Sequence, residues 1–286
     1  MRTALVLLSL VLALSTALSG QQTEEQLRTL IRNAQAEDAN VLVLLQGANA
    51  AGSLGEFEAA RTLLERAGDG VDGVVGGFIN AQLLYELTSG GGINGIKRRF
   101  RTISRNVVMD PVDVAGWANT YPEILVGGEY DDMIARLSAD AADPRYRCAC
   151  LAQKAWMYRV AGDMDRSRVY WDSVAVQAQR NPPAQETPQF RAQRVRNLAR
   201  AGRTAEARQV MERALSTDRI DQLGQAVQRN WAQAYAELGD TERAVEILER
   251  LLNMPSQVTV RSLETRVSWD GIREQPAFQA LLERHR

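Results

Sequence analysis

The chain has 286 residues, 45% of them apolar, and a formal net charge of −1. This near-neutral balance argues against nucleic acid as the partner, because phosphate binding needs a concentrated basic surface. The single histidine, His285, excludes Ser-His-Asp and Cys-His catalysis in their ordinary forms and leaves no histidine cluster for zinc.

The N-terminal segment has the composition of a secretory signal. Arg2 precedes an almost wholly apolar run at residues 4–18, and small residues follow that run. A transmembrane helix normally needs about 20 apolar residues, and this run is shorter. We therefore expect residues 1–20 to be a signal peptide and the chain to be exported, periplasmic or extracellular, with no stable membrane span. The alternative is an uncleaved N-terminal segment that anchors the chain.

After an N-terminal lead-in at residues 21–36, a repeated unit occupies residues 37–255. Its clearest copy, AYAELGDTERAVEILERLL at residues 234–252, joins two apolar-periodic stretches at a glycine. Gly239 suits the left-handed conformation that ends a helix, and Asp240 can cap the next helix. The unit is predicted to be a helical hairpin whose apolar face stays exposed unless a neighbour covers it.

The same unit can be aligned through six glycines whose intervals are 36, 37, 34, 40 and 37 residues. These glycines are Gly55, Gly91, Gly128, Gly162, Gly202 and Gly239. A near-constant period of this length is the signature of stacked helical hairpins.

These hairpins resemble the tetratricopeptide repeat (TPR) family. The small residue of the second helix is present as Ala60, Ala207 and Ala244, and the closing proline appears as Pro255. Other repeats depart from the family pattern by carrying Ile96, Met133 and Ser167 at the small position. Pro122 is expected to shorten or kink the first helix of the third repeat. The resemblance implies an all-α, right-handed α-solenoid of about six TPR-like hairpins.

The tail at residues 256–286 is predicted to cap the array. It resembles the segment that closes the TPR arrays of some bacterial signalling proteins, such as Ser/Thr kinases. The matching residues are Trp269, Asp270, Pro276, Phe278, Leu281 and Leu282. We expect Phe278, Leu281 and Leu282 to cover the last hairpin as a C-terminal capping helix, while Glu283, Arg284 and Arg286 face water.

Two cysteines, Cys148 and Cys150, lie two residues apart where the repeat pattern predicts the start of a helix. In an oxidising compartment such a pair can form a disulfide, but on a helix the two side chains point to opposite sides. The alternative is two small, partly buried thiols.

Two stretches match the G-x-G-x-x-G pattern, beginning at Gly68 and Gly90. In a nucleotide fold this pattern follows a strand, whereas here both copies follow predicted helices, which favours turn glycines. We expect no cofactor, no metal and no enzyme activity.

In the TPR family the first helix of each repeat lines the inner face of the array, where peptides bind. The inward positions of the later repeats are then Trp156, Arg159, Arg196, Arg200, Arg229 and Gln233. Four arginines beside a tryptophan could receive an acidic or C-terminal carboxylate segment of a protein partner. The alternative is a solvated or internally paired face. The Lys-Asn pattern of the family's carboxylate clamp is absent.

These observations predict a non-catalytic interaction scaffold or adaptor of the bacterial cell envelope, such as a subunit or assembly factor of a larger complex. Two other hypotheses stay open. One is a small-molecule or glycan sensor with a pocket enclosed by the solenoid. The other is a carboxylate-based hydrolase of envelope polymers, which needs two acids converging in one cleft.

Overall fold

The computed structural model describes residues 23–68, 81–83, 85–86, 89, 94–98, 144–183, 185–256 and 258–286. All regular structure in these ranges is helical and none of it is strand, which confirms the all-α prediction. Several predictions lie outside the described residues: the signal segment at 1–20, the turns at Gly91 and Gly128, the kink at Pro122 and the small position at Met133.

The described residues form eleven α-helices. They are α1 (Glu24–Gln35), α2 (Val41–Ser53), α3 (Phe57–Gly68), α4 (Pro144–Val160), α5 (Met164–Arg180), α6 (Pro188–Arg200), α7 (Thr204–Leu215), α8 (Gln225–Glu237), α9 (Thr241–Leu252), α10 (Val260–Thr265) and α11 (Pro276–His285). Two 3₁₀ helices, Ile220–Gln222 and Val267–Trp269, lie within the later connections. Shorter helical stretches occupy residues 81–83, 85–86 and 94–98.

Four helical hairpins (α2–α3, α4–α5, α6–α7 and α8–α9) turn at a glycine in the left-handed region. The φ angles of these glycines are 75° at Gly55, 83° at Gly162, 78° at Gly202 and 77° at Gly239. In each turn the N–H after the glycine donates to a carbonyl five residues back, as from Asp240 to Tyr235 at 3.0 Å. This bond satisfies one of the carbonyls that a helix end leaves unpaired. The predicted turns are therefore confirmed at all four positions.

The small positions of the second helices are buried against the first helices. Ala207 and Ala244 are fully buried, and Ala60 is nearly so. The departure at Ser167 is accommodated because its hydroxyl donates to the carbonyl oxygen of Ala155 on α4 at 2.8 Å. A buried hydroxyl without a partner would cost stability, so this hydrogen bond explains how a polar residue fits a position that normally holds alanine.

Neighbouring hairpins pack through their helices, with α5 against α6 and α6 against α8. One apolar core runs from Ala175 on α5 through the later hairpins to Leu282 on α11. The capping helix α11 packs on α9 and buries Phe278 and Leu281. Arg284 also pairs with Glu249 of α9, at 2.5 Å. Together these contacts define a helical-repeat solenoid closed by a C-terminal helix, as the sequence predicts.

Helix α1, within the segment interpreted from sequence only as a lead-in, packs on α2. Thr23 and Gln26 form a reciprocal capping box at its start. Gly47 of α2 permits the close approach of the two helices, because a Cβ there would collide with the Cβ of Ala34 and meet the carbonyl of Leu30 at 3.3 Å. The apolar face of α1 thus covers the first hairpin of the array.

We expect Gly239→Ala to destabilise the protein by about 1 kcal/mol, because alanine is strained in the left-handed conformation although nothing lies within 4 Å of its Cβ. Equilibrium urea unfolding measures the change. Gly271→Ala is the matched control, since its Cβ would meet only ordinary contact, at 3.9 Å from the carbonyl of Ala236. Equal stabilities of the two variants would contradict the strain argument.

We expect Gly47→Ala to loosen α1, with a cost of about 1–3 kcal/mol from overpacking against Ala34. Amide hydrogen exchange should rise across residues 27–34 and stay unchanged in α8. Asn49→Ala, on the same helix, is the control because it adds no atoms. Unaltered exchange in α1 of the Gly47 variant would show that the close approach is unimportant.

Candidate functional site: a buried arginine cluster on the inner face

The six residues predicted to line the array come from the first helices of three successive hairpins. Trp156 and Arg159 lie on α4, Arg196 and Arg200 on α6, and Arg229 and Gln233 on α8. We call the surface of α4, α6 and α8 that carries these residues the inner face. The helix packing described above places these side chains next to one another, but their exposure differs greatly.

Glu237 on α8 joins the inner face through two ion pairs that the sequence analysis did not anticipate. Its carboxylate accepts from Arg200 Nε at 2.7 Å and from Arg159 Nη1 at 3.1 Å. The exposed fractions of the three side chains are 8% for Glu237, 1% for Arg200 and 18% for Arg159. This part of the inner face is therefore internally paired, as the alternative reading of the arginines proposed.

Two tryptophans enclose the Arg200 guanidinium. Its central carbon lies 4.5 Å from the ring centroid of Trp156 and 4.8 Å from that of Trp171. The two rings meet edge to face, with their centroids 5.7 Å apart. Cation–π attraction is strongest when water is excluded, as it is here. Trp156 is only 1% exposed, so the structure places it beneath the inner face and not on the accessible surface where the sequence analysis expected it.

The charge on Glu237 reflects two opposing effects. Burial raises the pKa of this carboxyl, but the charges and hydrogen bonds of Arg200 and Arg159 outweigh it and hold the pKa below its ordinary value. The carboxylate is thus ionised at neutral pH. A buried carboxylate with two guanidinium partners is costly to break, because removing it leaves two buried cations unpaired.

Arg196 differs from Arg200 because it forms no ion pair with any described residue. Its Nη1 donates only to neutral amide oxygens, to Asn230 at 3.2 Å and to Gln193 at 3.3 Å. Its Nε is buried and has no hydrogen-bond partner. Burial lowers the pKa of Arg196 well below its ordinary value, and the positive charges of Arg200 and Arg229 lower it further, while the negative charge of Glu237 opposes them. The guanidinium therefore lies where an added negative charge would be stabilised.

The cap extends the inner face beyond α8. Gln233, which is buried, donates from Nε2 to the hydroxyl of Ser268 at 3.2 Å. Arg266, just before that 3₁₀ turn, is near enough to Arg196 for its charge to lower the Arg196 pKa. Gln233 thus serves a contact between α8 and the cap, and the charge of the buried Arg266 acts on Arg196 from the cap side.

Glu237 could have been found from the sequence by its register. It lies two residues before the turn glycine Gly239, and Arg200 lies two residues before Gly202. Equivalent positions in stacked repeats are neighbours, so this spacing predicts the ion pair. The burial of Trp156 has no comparable signal, because it depends on the packing of Trp171 and Arg200 around the ring.

Several other features limit the chemistry of the described part of the chain. It contains no group of three or more His, Cys, Asp or Glu side chains that could hold a metal ion. None of its helices is both long and apolar enough to cross a membrane. Cys148 and Cys150 lie on α4 as thiols, and burial raises the pKa of each. These observations add no reactive centre to the inner face.

The described helices form a helical-repeat array. The family model described as Tetratricopeptide repeat matches residues 227–254, which span most of the α8–α9 hairpin. This match confirms, at that hairpin, the tetratricopeptide-repeat resemblance inferred from the glycine spacing. No curated protein matches the chain. TPR repeats are in general non-catalytic modules that bind other proteins.

We expect Glu237→Gln to lower the free energy of unfolding by about 3 kcal/mol or more at pH 7, because it leaves Arg159 and Arg200 without their carboxylate. The pKa of Glu237 is lower in the folded than in the unfolded state, so its contribution is full above the ordinary glutamate pKa of about 4.3 and fades as pH falls below it.

Urea unfolding between neutral and acidic pH tests both points. The wild type should lose stability on acidification more steeply than Glu237→Gln does. Glu246→Gln is the control because its partner Arg243 is exposed, and it should change stability by less than about 1 kcal/mol. Similar losses of stability in the two variants would show that the buried ion pairs of Glu237 contribute no more than an exposed pair.

Proposed function

We propose that this protein is a non-catalytic scaffold of the bacterial cell envelope that holds a protein partner on its inner face. The observation that carries the proposal is Arg196, a largely desolvated guanidinium without a carboxylate partner, on a face built from three hairpins. A fold that needed Arg196 only for stability would be expected to pair it, as Glu237 pairs Arg200.

The rigidity of the inner face supports a binding role. Glu237, Arg159, Arg200 and the two tryptophans around Arg200 are fixed by mutual contacts before any partner arrives. A surface that is already ordered loses little conformational entropy on binding, so more of the interaction energy appears as affinity. The inner face therefore suits a partner that fits it without remodelling it.

The positive charge of the face favours an acidic partner. Arg196 has two neighbouring cations, Arg229 and Arg266, that act on it in the same direction. Hydrogen bonds between guanidinium and carboxylate are stronger than those between neutral groups, and positive surfaces also accelerate encounter with negative ones. A protein segment that carries carboxylates would place negative charge beside Arg196.

The N-terminal sequence supports the setting in the envelope. The charged and then apolar residues 1–20 have the order of a secretory signal, so the array is proposed to act in the periplasm or outside the cell. A segment that remains uncleaved would instead tether the array to the membrane. In either case the array would serve as a docking arm or assembly factor of a larger complex.

Affinity capture from the native envelope, followed by quantitative mass spectrometry, tests this proposal. The full-length chain should enrich a defined protein, and Arg196→Glu with Arg229→Glu should reduce the enrichment at least about tenfold, since each substitution replaces attraction by repulsion. The control is Arg168→Glu with Arg213→Glu, which makes the same charge change on the exposed faces of α5 and α7. Equal capture by both double variants, or no enriched protein at all, would refute binding through the inner face.

A further inference from the structure

The carboxylate of Glu237 connects the first helices of three successive hairpins. Its Oε1 accepts from Arg200 Nε of α6 at 2.7 Å, and its Oε2 accepts from Arg159 Nη1 of α4 at 3.1 Å. The contact with Arg200 links two neighbouring hairpins. The contact with Arg159 passes over one hairpin and links the first of the three to the third. Its length therefore depends on how the three hairpins are arranged relative to one another.

The distance between α4 and α8 depends on the bending of the stack. Packed helices have axes about 8–10 Å apart, so the first and third helices of a straight stack would lie roughly 16–20 Å apart. Bending towards the inner face shortens this distance on the inner side and lengthens the distance between the second helices on the outer side. A bond that joins α4 to α8 on the inner side therefore resists straightening of the stack.

Both ends of the Arg159–Glu237 contact are held in place by other side chains. The guanidinium carbon of Arg159 lies 5.3 Å from the ring centroid of the buried Trp156 on the same helix. Glu237 is held by the buried Arg200. Because Arg159 and Glu237 are themselves largely buried, salt screens their attraction much less than that of an exposed pair. A contact that is fixed at both ends couples the position of α4 to that of α8.

From this geometry we propose that the Arg159–Glu237 ion pair is a strap that sets the curvature of the three hairpins from α4 to α9. The strap holds the inner face at one width before any partner is bound. Arg200 has a different role, because its pair with Glu237 joins only the adjacent helices α6 and α8. The inference goes beyond the proposed function and does not depend on it, since the strap acts within the free protein.

A distance between spin labels on the outer helices tests the strap in the full-length protein. Suitable label positions are Val169 on α5 and Glu246 on α9, because both are exposed and each lies seven residues after its turn glycine. Labels attached to non-canonical amino acids leave Cys148 and Cys150 unmodified. Pulsed electron paramagnetic resonance then measures the separation of equivalent positions two hairpins apart.

We expect Arg159→Gln to shorten the mean distance between the labels by about 1–2 Å, the scale of helix shifts at interfaces, and to broaden its distribution. Loss of the strap lets the inner side open, so the outer helices approach each other. Glu237 keeps its pair with Arg200 in this variant, so the substitution does not leave a buried carboxylate alone. Arg159→Lys keeps a positive charge for Glu237 and should stay closer to the wild-type distance.

Two further variants separate the ion pair from other effects. Lys154→Gln is the matched control because it also removes one positive charge from α4, whereas Lys154 lies over Tyr170 of the adjacent helix α5. It should leave the label distance unchanged. Arg159→Met keeps an apolar stem beside Trp156 but removes the charge, so it should shorten the distance as Arg159→Gln does.

Several results would overturn the inference. An unchanged or longer label distance in Arg159→Gln and Arg159→Met would show that helix packing alone sets the curvature. An equal shift in Lys154→Gln would show that any lost charge on α4 has the same effect. Relaxation of Arg159→Lys as far as Arg159→Gln would show that charge pairing is not the cause.

Far-UV circular dichroism of each variant checks that the helices are retained. Loss of helix content in both Arg159→Gln and Arg159→Met would also overturn the inference, since Arg159 would then be needed for folding and not for curvature. No partner takes part in these measurements, so a failure of the strap leaves the proposed function to be decided by the capture experiment.

Discussion

The left-handed glycine turn is the constraint on which the rest of this structure depends. It reverses the chain in a fixed geometry, so the two helices of a hairpin meet in the same register each time. A constant register places residues at equal distances from the glycine at equal heights in the stack. Arg200 and Glu237 meet for this reason, since each lies two residues before its turn. Fold and site therefore have one geometric origin.

Much of the fold could be predicted from the sequence, because each turn depends only on the residues around its glycine. Gly162, Gly202 and Gly239 need φ values that other residues adopt reluctantly, so their spacing carries structural information that can be read without coordinates. The second-helix alanines, such as Ala207, follow from the same period. Helix α1 was overlooked although the Thr23 to Gln26 capping box was visible in the sequence.

The site was harder to predict than the fold because burial and pairing depend on neighbours distant in sequence. All six inward candidates lie on the three expected helices, but no local pattern separates Arg200, which is enclosed by two tryptophans, from Arg196, which lacks an ion pair. The pairing of Arg159 with Glu237 joins residues 78 positions apart. Whether the candidates contact a partner remains a prediction.

The same Arg159–Glu237 contact has a consequence for how the array unfolds. Repeat proteins usually interact only between adjacent units, so their ends can fray one unit at a time. Here an ion pair joins α4 directly to α8, past the intervening helix α6. Unfolding of the last hairpin therefore also removes a contact that stabilises α4, two hairpins away. This cross-link should merge the α4–α9 region into one cooperative unit, and hydrogen exchange would then show a shared opening free energy instead of a gradient towards the C-terminal end.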